Sequence, residues 1–244
     1  LPTSVTRLGN HVFSECTSLK TVFLPQNAAF NELSSLSPDT LNIFYAQNSP
    51  TGDMTVTKVV ADNKTSIELP EIVVGGKVTA IGANAFSSCY KAQEIKLPET
   101  VTEIGYAAFY NCFKLKNVDI PQSVYSIGAN AFENCIDLET VIIPSGVVSM
   151  GDYSFQNCSK LKIVYLPDKL RSTSINNNAT RIYYTMDSSD PSENKSTVTK
   201  VESGIQTDIV IPETISGAAV NKIGKEAFSN YSNLKSVTLP DGIT

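Results

Sequence analysis

Histidine occurs once in this 244-residue chain, at His11, and that scarcity already narrows the available chemistry. His11 fills a slot held elsewhere by Asn84, Ala107, Asn130, Tyr153 and Glu226. A slot that accepts such variety faces solvent and gives no reason to read a base or a ligand there. The chain also lacks a Gly-rich phosphate loop, recurring carboxylate pairs and any metal-ligand spacing, so no enzyme activity, cofactor or metal is expected. Positive charge is sparse as well: 19 Lys and Arg against 24 Asp and Glu leave a net charge of −5. That balance opposes nucleic-acid binding, which needs concentrated cations to neutralise phosphates. No apolar run approaches the roughly 18 residues that span a bilayer, so membrane insertion is not expected.

What the chain has is repetition. From Leu97 to Leu166 one pattern returns three times at a period of 23 residues: an apolar residue and Pro, then Val, Ile-Gly, Ala-Phe, Cys, Leu and Val at fixed offsets. A period of this size marks units that cannot bury their own apolar side and must stack to make a common core. The offsets then become columns. Phe86, Phe109, Phe132 and Phe155 form one, with Phe13 and Phe228 expected to extend it. Gly82, Gly105, Gly128 and Gly151 share a slot that reads as a tight corner or a positive φ, where a Cβ would clash. Alternation such as Leu115-x-x-Val118-x-Ile120 predicts a short strand with one face buried, ended by Pro. The Ala-Phe-x-x-Cys portion has room for a single helical or 3₁₀ turn.

Leu-x-x-Val-x-Leu-Pro followed by Val-x-x-Ile-Gly-x-x-Ala-Phe-x-x-Cys resembles the BspA-like leucine-rich repeats. The pattern starts at Leu1, Leu69, Leu97, Ile120, Ile143 and Ile211, and again at Leu239. The resemblance implies a strand-rich, α/β-type solenoid: a right-handed superhelix with a parallel sheet on one face and short 3₁₀ or helical turns opposite. It also implies an extracellular or cell-surface location in a host-associated microbe. The whole of 1–244 reads as one solenoid, with regular units 1–23, 69–165 and 211–238 and two hairpin-bearing inserts, 24–68 and 166–210. In the first insert, β-favouring runs on either side of Ala61–Lys64 predict the hairpin, attached at the solenoid edge after a polar turn over 47–53. The segment Thr55–Val59 recurs at Thr197–Val201 and Leu69-Pro70-Glu71 as Ile211-Pro212-Glu213, so a 142-residue repeat overlies the short one. Residues 186–196 read as a solvated loop. The chain opens on a unit boundary and stops just inside another unit, as expected of a mature or shortened piece of a longer protein.

Cys89, Cys112, Cys135 and Cys158 recur at 23 residues, with Cys16 in the equivalent slot. Stacked turns set equivalent residues about 5 Å apart with parallel Cβ vectors, whereas a disulfide needs Cβ atoms near 3.8 Å and facing. A buried thiol ladder of small apolar fillers is therefore expected. Asn111, Asn134 and Asn157 are expected to bond backbone at the corner between turns. Asn63, Asn178, Asn194 and Asn230 begin Asn-x-Ser/Thr triplets, which would be glycan acceptors in a eukaryotic secretory pathway.

Function is left to the outward strand positions. Glu94, Lys96, Asn117 and Asp119 form a polar patch, and Ile142, Ile163 and Tyr165 an apolar, aromatic one. Clustered exposed apolar side chains are common anchors of protein contacts. Ile142 and Ile163 also suit a strand as β-branched residues, or lie under the following insert. The reading that follows is a non-catalytic surface or secreted module that binds a host or microbial protein through its strand face. A structural spacer or glycan-binding stalk is the alternative.

Overall fold

Alternation before each Pro sends every second side chain inward, and the corner after Pro returns the chain to begin the next level. The structure, a computed structural model, describes residues 1–244 apart from 3, 10, 27–39, 48–51, 62, 88, 172–174, 176–178, 188–193 and 203. The first strands are β1 (Thr21–Pro25), β2 (Leu41–Gln47), β3 (Met54–Val60), β4 (Ser66–Glu68), β5 (Ile72–Val73) and β6 (Gly76–Ile81). The regular units add β7 (Glu94–Lys96), β8 (Glu103–Ile104), β9 (Asn117–Asp119), β10 (Ser126–Ile127), β11 (Thr140–Ile142), β12 (Ser149–Met150) and β13 (Ile163–Pro167). The remainder are β14 (Thr180–Met186), β15 (Lys195–Glu202), β16 (Asp208–Val210), β17 (Thr214–Ile215), β18 (Ala218–Ile223) and β19 (Ser236–Thr238).

Each regular unit supplies two strands where the sequence predicts one. β7 and β9 carry the Val-centred strand, while β6, β8, β10 and β12 form a second parallel line in which Ile81, Ile104, Ile127 and Met150 are in register. The Ala-Phe-x-x-Cys segments between them are turns. Their N–H groups are shared between local bonds and the next level, as when Phe86 and Phe109 donate to the carbonyls of Ala108 and Ala131 at 2.7 Å. Among the described residues the helical content is one 3₁₀ turn, Asp168–Leu170. The fold is thus strand-rich with parallel sheets, and the α/β description with helical turns is corrected: bonding between levels takes the donors a helix would use.

The columns are present in the middle of the chain. Phe86, Phe109, Phe132 and Phe155 are fully buried, with successive ring centroids 4.9, 4.9 and 5.3 Å apart and planes within 15°. Such stacks contribute roughly 0.5–1.5 kcal/mol per pair beyond burial. Phe13 and Phe228 do not join them; both are half-buried in separate clusters nearer the chain ends. The Gly column works by close approach rather than by positive φ: a Cβ on Gly128 would lie 2.5 Å from the Gly105 carbonyl carbon and the Tyr106 nitrogen. The positive φ falls two residues later, on His11 (58°), Asn84 (56°), Ala107 (50°), Asn130 (59°), Tyr153 (60°) and Glu226 (59°).

The inserts depart most from expectation. The first hairpin pairs β2 with β3, so the hairpin predicted around Ala61–Lys64 is corrected; β4 instead runs parallel beside β7. Most of its polar connection lies outside the described residues, as does 188–193 in the second insert. Nor is the hairpin an edge attachment. β2 continues the line of β1 and β3 that of β6, so the hairpin transfers the chain from one strand line to the other. The β14–β15 hairpin repeats this between β13 and β18, and both hairpins carry a register shift, at Phe44/Tyr45 and Tyr183/Tyr184. Bulges of this kind bend a strand and increase its twist, which redirects the next block. The Met54–Val78 pairing returns as Ser196–Val220, 142 residues on for both partners.

Candidate interaction surface

The Val-centred strands turn Val118 and its equivalents inward, so the residues on either side project outward. On β4, β7 and β9 these are Ser66 and Glu68, Glu94 and Lys96, Asn117 and Asp119, all exposed and in parallel register. Lys96 Nζ lies 3.2 Å from Glu68 Oε1. The four polar residues predicted from sequence therefore share one face, and Glu68 joins them. Its signal was present: Glu68 precedes Leu69-Pro70 as Lys96 precedes Leu97-Pro98, but the run before Leu69 was assigned to the hairpin predicted around Ala61–Lys64.

The apolar group behaves differently. Tyr165 retains only 4% of its exposure, and its hydroxyl donates to the Val210 carbonyl at 3.4 Å. Burial pushes its phenol up to about 12. Ile142 and Ile163 are half-buried in the same cluster, beside Ile182, Tyr184 and Ile211. The expected exposed patch of Ile142, Ile163 and Tyr165 is thus corrected: the block that follows the second hairpin roofs β11, β13 and β14. Beneath this roof Tyr184 ties β14 to the corner after β11 by donating to the Ile143 carbonyl at 2.6 Å.

Between the open and the roofed portions the Val-centred line is interrupted. β4–β7–β9 and β11–β13–β14 belong to different sheets, and Val118 and Ile120 in the gap keep 8% exposure where Ile95 and Val141 keep 1%. A crease of about 340 Å³ follows, lined by Asn117, Asp119, Gln122, Thr140, Ile142 and Ser216 among others. Ser216, from the β17–β18 turn, closes one end: its hydroxyl donates to Gln122 Oε1 at 2.9 Å and accepts the Ser145 N–H at 3.1 Å. Sequence reasoning missed this contact, which joins residues 94 apart.

The other singled-out residues are structural. Cys89, Cys112, Cys135 and Cys158 are buried, and their thiols donate to the carbonyls of Val59, Phe86, Phe109 and Phe132 at 3.8, 3.2, 3.3 and 3.1 Å. Burial raises the thiols of Cys112 and Cys135 well above the ordinary value and that of Cys158 to about 12. Protonated thiols are poor nucleophiles and ligands. Cys16, by contrast, is exposed. The asparagines bond one another rather than backbone: Asn157 donates to Asn134 at 2.9 Å and Asn134 to Asn111 at 2.8 Å, each with positive φ. Of the Asn-x-Ser/Thr residues, Asn63 accepts from Lys91 and Asn194 donates to the Gly217 carbonyl, while Asn178 lies outside the described residues. Among the described residues no group of three His, Cys, Asp or Glu side chains could hold a metal ion, and no helix is long and apolar enough to cross a membrane.

Comparison with known proteins agrees with this repeat architecture. The BspA-type leucine-rich-repeat region matches in six copies over residues 1–47, 63–184 and 195–244, and the chain belongs to that family. Repeats of this family are generally non-catalytic binding modules. The T. pallidum leucine-rich-repeat protein TpLRR is 26% identical over 50% of this chain and 67% of its own, with a TM-score of 0.43. A leucine-rich-repeat protein from Bacteroides capillosus is 28% identical over 50% of this chain and 96% of its own, at 0.44. The pneumococcal vaccine antigen PcpA is 17% identical over 99% of this chain and 67% of its own, at 0.47. No curated protein matches the chain.

Proposed function

We propose that the chain is a non-catalytic, cell-surface or secreted protein-binding module acting in adhesion or host contact, and that it binds through the open strand face of β4, β7 and β9. The observation that carries this reading is the division of one strand face into a roofed part and an uncovered part. Glu94, Lys96, Asn117 and Asp119 stand on the uncovered part, with Ile142 at its rim; Ile163 is a lesser contributor and Tyr165 is withdrawn from the binding set because it is buried. The chain is taken as a single right-handed solenoid over 1–244, the hand favoured when parallel strands are joined by crossovers. Family membership and a relative from Faecalibacterium prausnitzii described as a leucine rich cell surface protein support the location. A photo-crosslinking residue at Asn117, with Tyr153 on the turn side as control, tests the reading against epithelial and microbial surface proteins. Adducts at position 117 and not at 153 are expected. Equal yields at both positions, or none at 117, would leave the spacer or glycan-binding stalk as the better account.

A further inference from the structure

A groove of about 550 Å³ lies where β1 meets the Pro corners after β4 and β7. Its apolar floor includes Phe23, Pro70 and Pro98, and among the described residues its walls carry Glu68, Glu71 and Glu99 against a single cation, Lys96. Lys96 is already paired with Glu68 at 3.2 Å. Glu71 and Glu99 are exposed and have no ion-pair partner among the described residues. Two carboxylates are therefore left unneutralised beside an apolar floor, and Glu94 continues the acidic character onto the open strand face.

The 142-residue repeat allows the two junctions to be compared residue by residue. At the second junction, Phe23 is replaced by Tyr165, Glu68 by Val210 and Lys96 by Thr238, while Glu71 and Glu99 keep their carboxylates as Glu213 and Asp241. Tyr165 is drawn in against the Val210 carbonyl. Equivalent backbone is thus built with a neutral pair where the first junction has Glu68 and Lys96, so that pair is not a condition of the architecture, whereas the carboxylates at 71 and 99 recur at both junctions and only at the second does Tyr165 turn in beside them. An apolar trough rimmed by excess carboxylates is complementary to an extended segment that alternates cations with apolar side chains.

We propose that the groove docks a lysine- or arginine-bearing segment of a partner protein, its cations on Glu71 and Glu99 beside the Glu68–Lys96 pair and its apolar side chains on Phe23 and the two prolines. The proposal rests on the protein-binding reading above and specifies the chemistry of the partner. The probe is a fluorescein-labelled peptide of alternating lysine and valine, followed by anisotropy with the whole chain at low and high salt; a glutamate–valine peptide is the comparison. The lysine peptide is expected to bind and to weaken as salt rises, and the glutamate peptide not to bind. Combined E68Q, E71Q and E99Q is expected to weaken binding roughly tenfold, because it removes two modest exposed charge pairs and leaves Lys96 unpaired to repel the segment. E213Q, the counterpart of E71Q at the second junction, is expected to leave it unchanged. All four sites are exposed, so the variants keep the parent's circular dichroism and melting, and the salt series tests the unaltered protein independently. No binding by the parent, binding indifferent to salt, or an unchanged triple variant would overturn the proposal. If position 117 still captures partners and the triple substitution changes neither that capture nor peptide binding, the protein-binding reading stands and the cationic partner falls.

Discussion

Gly128→Ala tests whether close approach of successive turns, rather than backbone freedom, explains the Gly column. A methyl at this position would sit 2.5 Å from two backbone atoms of the preceding turn, the Gly105 carbonyl carbon and the Tyr106 nitrogen. Flexible side chains can yield to such an intrusion, but backbone yields only if the levels separate. Separation works against the 2.7 Å bond from the Gly128 N–H to the Ile104 carbonyl, and bonds of this kind contribute about 1 kcal/mol each. Overpacking of a close-packed site costs about 1–3 kcal/mol, and the rigid obstacle places Gly128→Ala near the upper end, at about 3 kcal/mol. For a chain of this size that is a fall in Tm of roughly 6–12 °C. Gly217→Ala is the control: φ is +76° and nothing lies within 4 Å of the added carbon, so only the left-handed strain of about 1 kcal/mol applies. Guanidinium unfolding followed by circular dichroism measures both. A Gly128→Ala variant within about 0.5 kcal/mol of the parent, or no less stable than Gly217→Ala, would refute the close-approach account.

Two further outcomes follow from the buried columns and the ion pairs. A thiol reagent added to the native protein is expected to label Cys16 promptly and Cys89, Cys112, Cys135 and Cys158 only on unfolding, because burial shields all four and raises the thiols of Cys112, Cys135 and Cys158; mass spectrometry of the peptides gives the order. Lys160, and with it Lys114, holds the Asp137 carboxyl below its ordinary value of 3.8. A depressed folded pKa stabilises the protein above the ordinary value, and that contribution disappears as pH falls through the folded one. The Tm difference between the parent and Asp137→Asn is therefore expected to be constant at neutral pH and to shrink below about pH 4; a difference that grows with acid would contradict the pairing.

The 23-residue period by itself fixed which side chains stack, because each unit buries its apolar face only against its immediate neighbours. Phe86 to Phe155, the Cys ladder and the Gly contacts follow from that rule, and so does the outward projection of Glu94, Lys96, Asn117 and Asp119. What the period does not contain is how blocks meet. Whether an outward residue stays open depends on contacts such as Tyr165 with Val210 or Gln122 with Ser216, made across a bulged hairpin between residues 45 and 94 apart. The second parallel line was also illegible, since two residues per level are too few to show alternation. Stacking is a nearest-neighbour property written into every unit, whereas exposure of the binding face is set by the bend at each hairpin, and only the tertiary structure decided it.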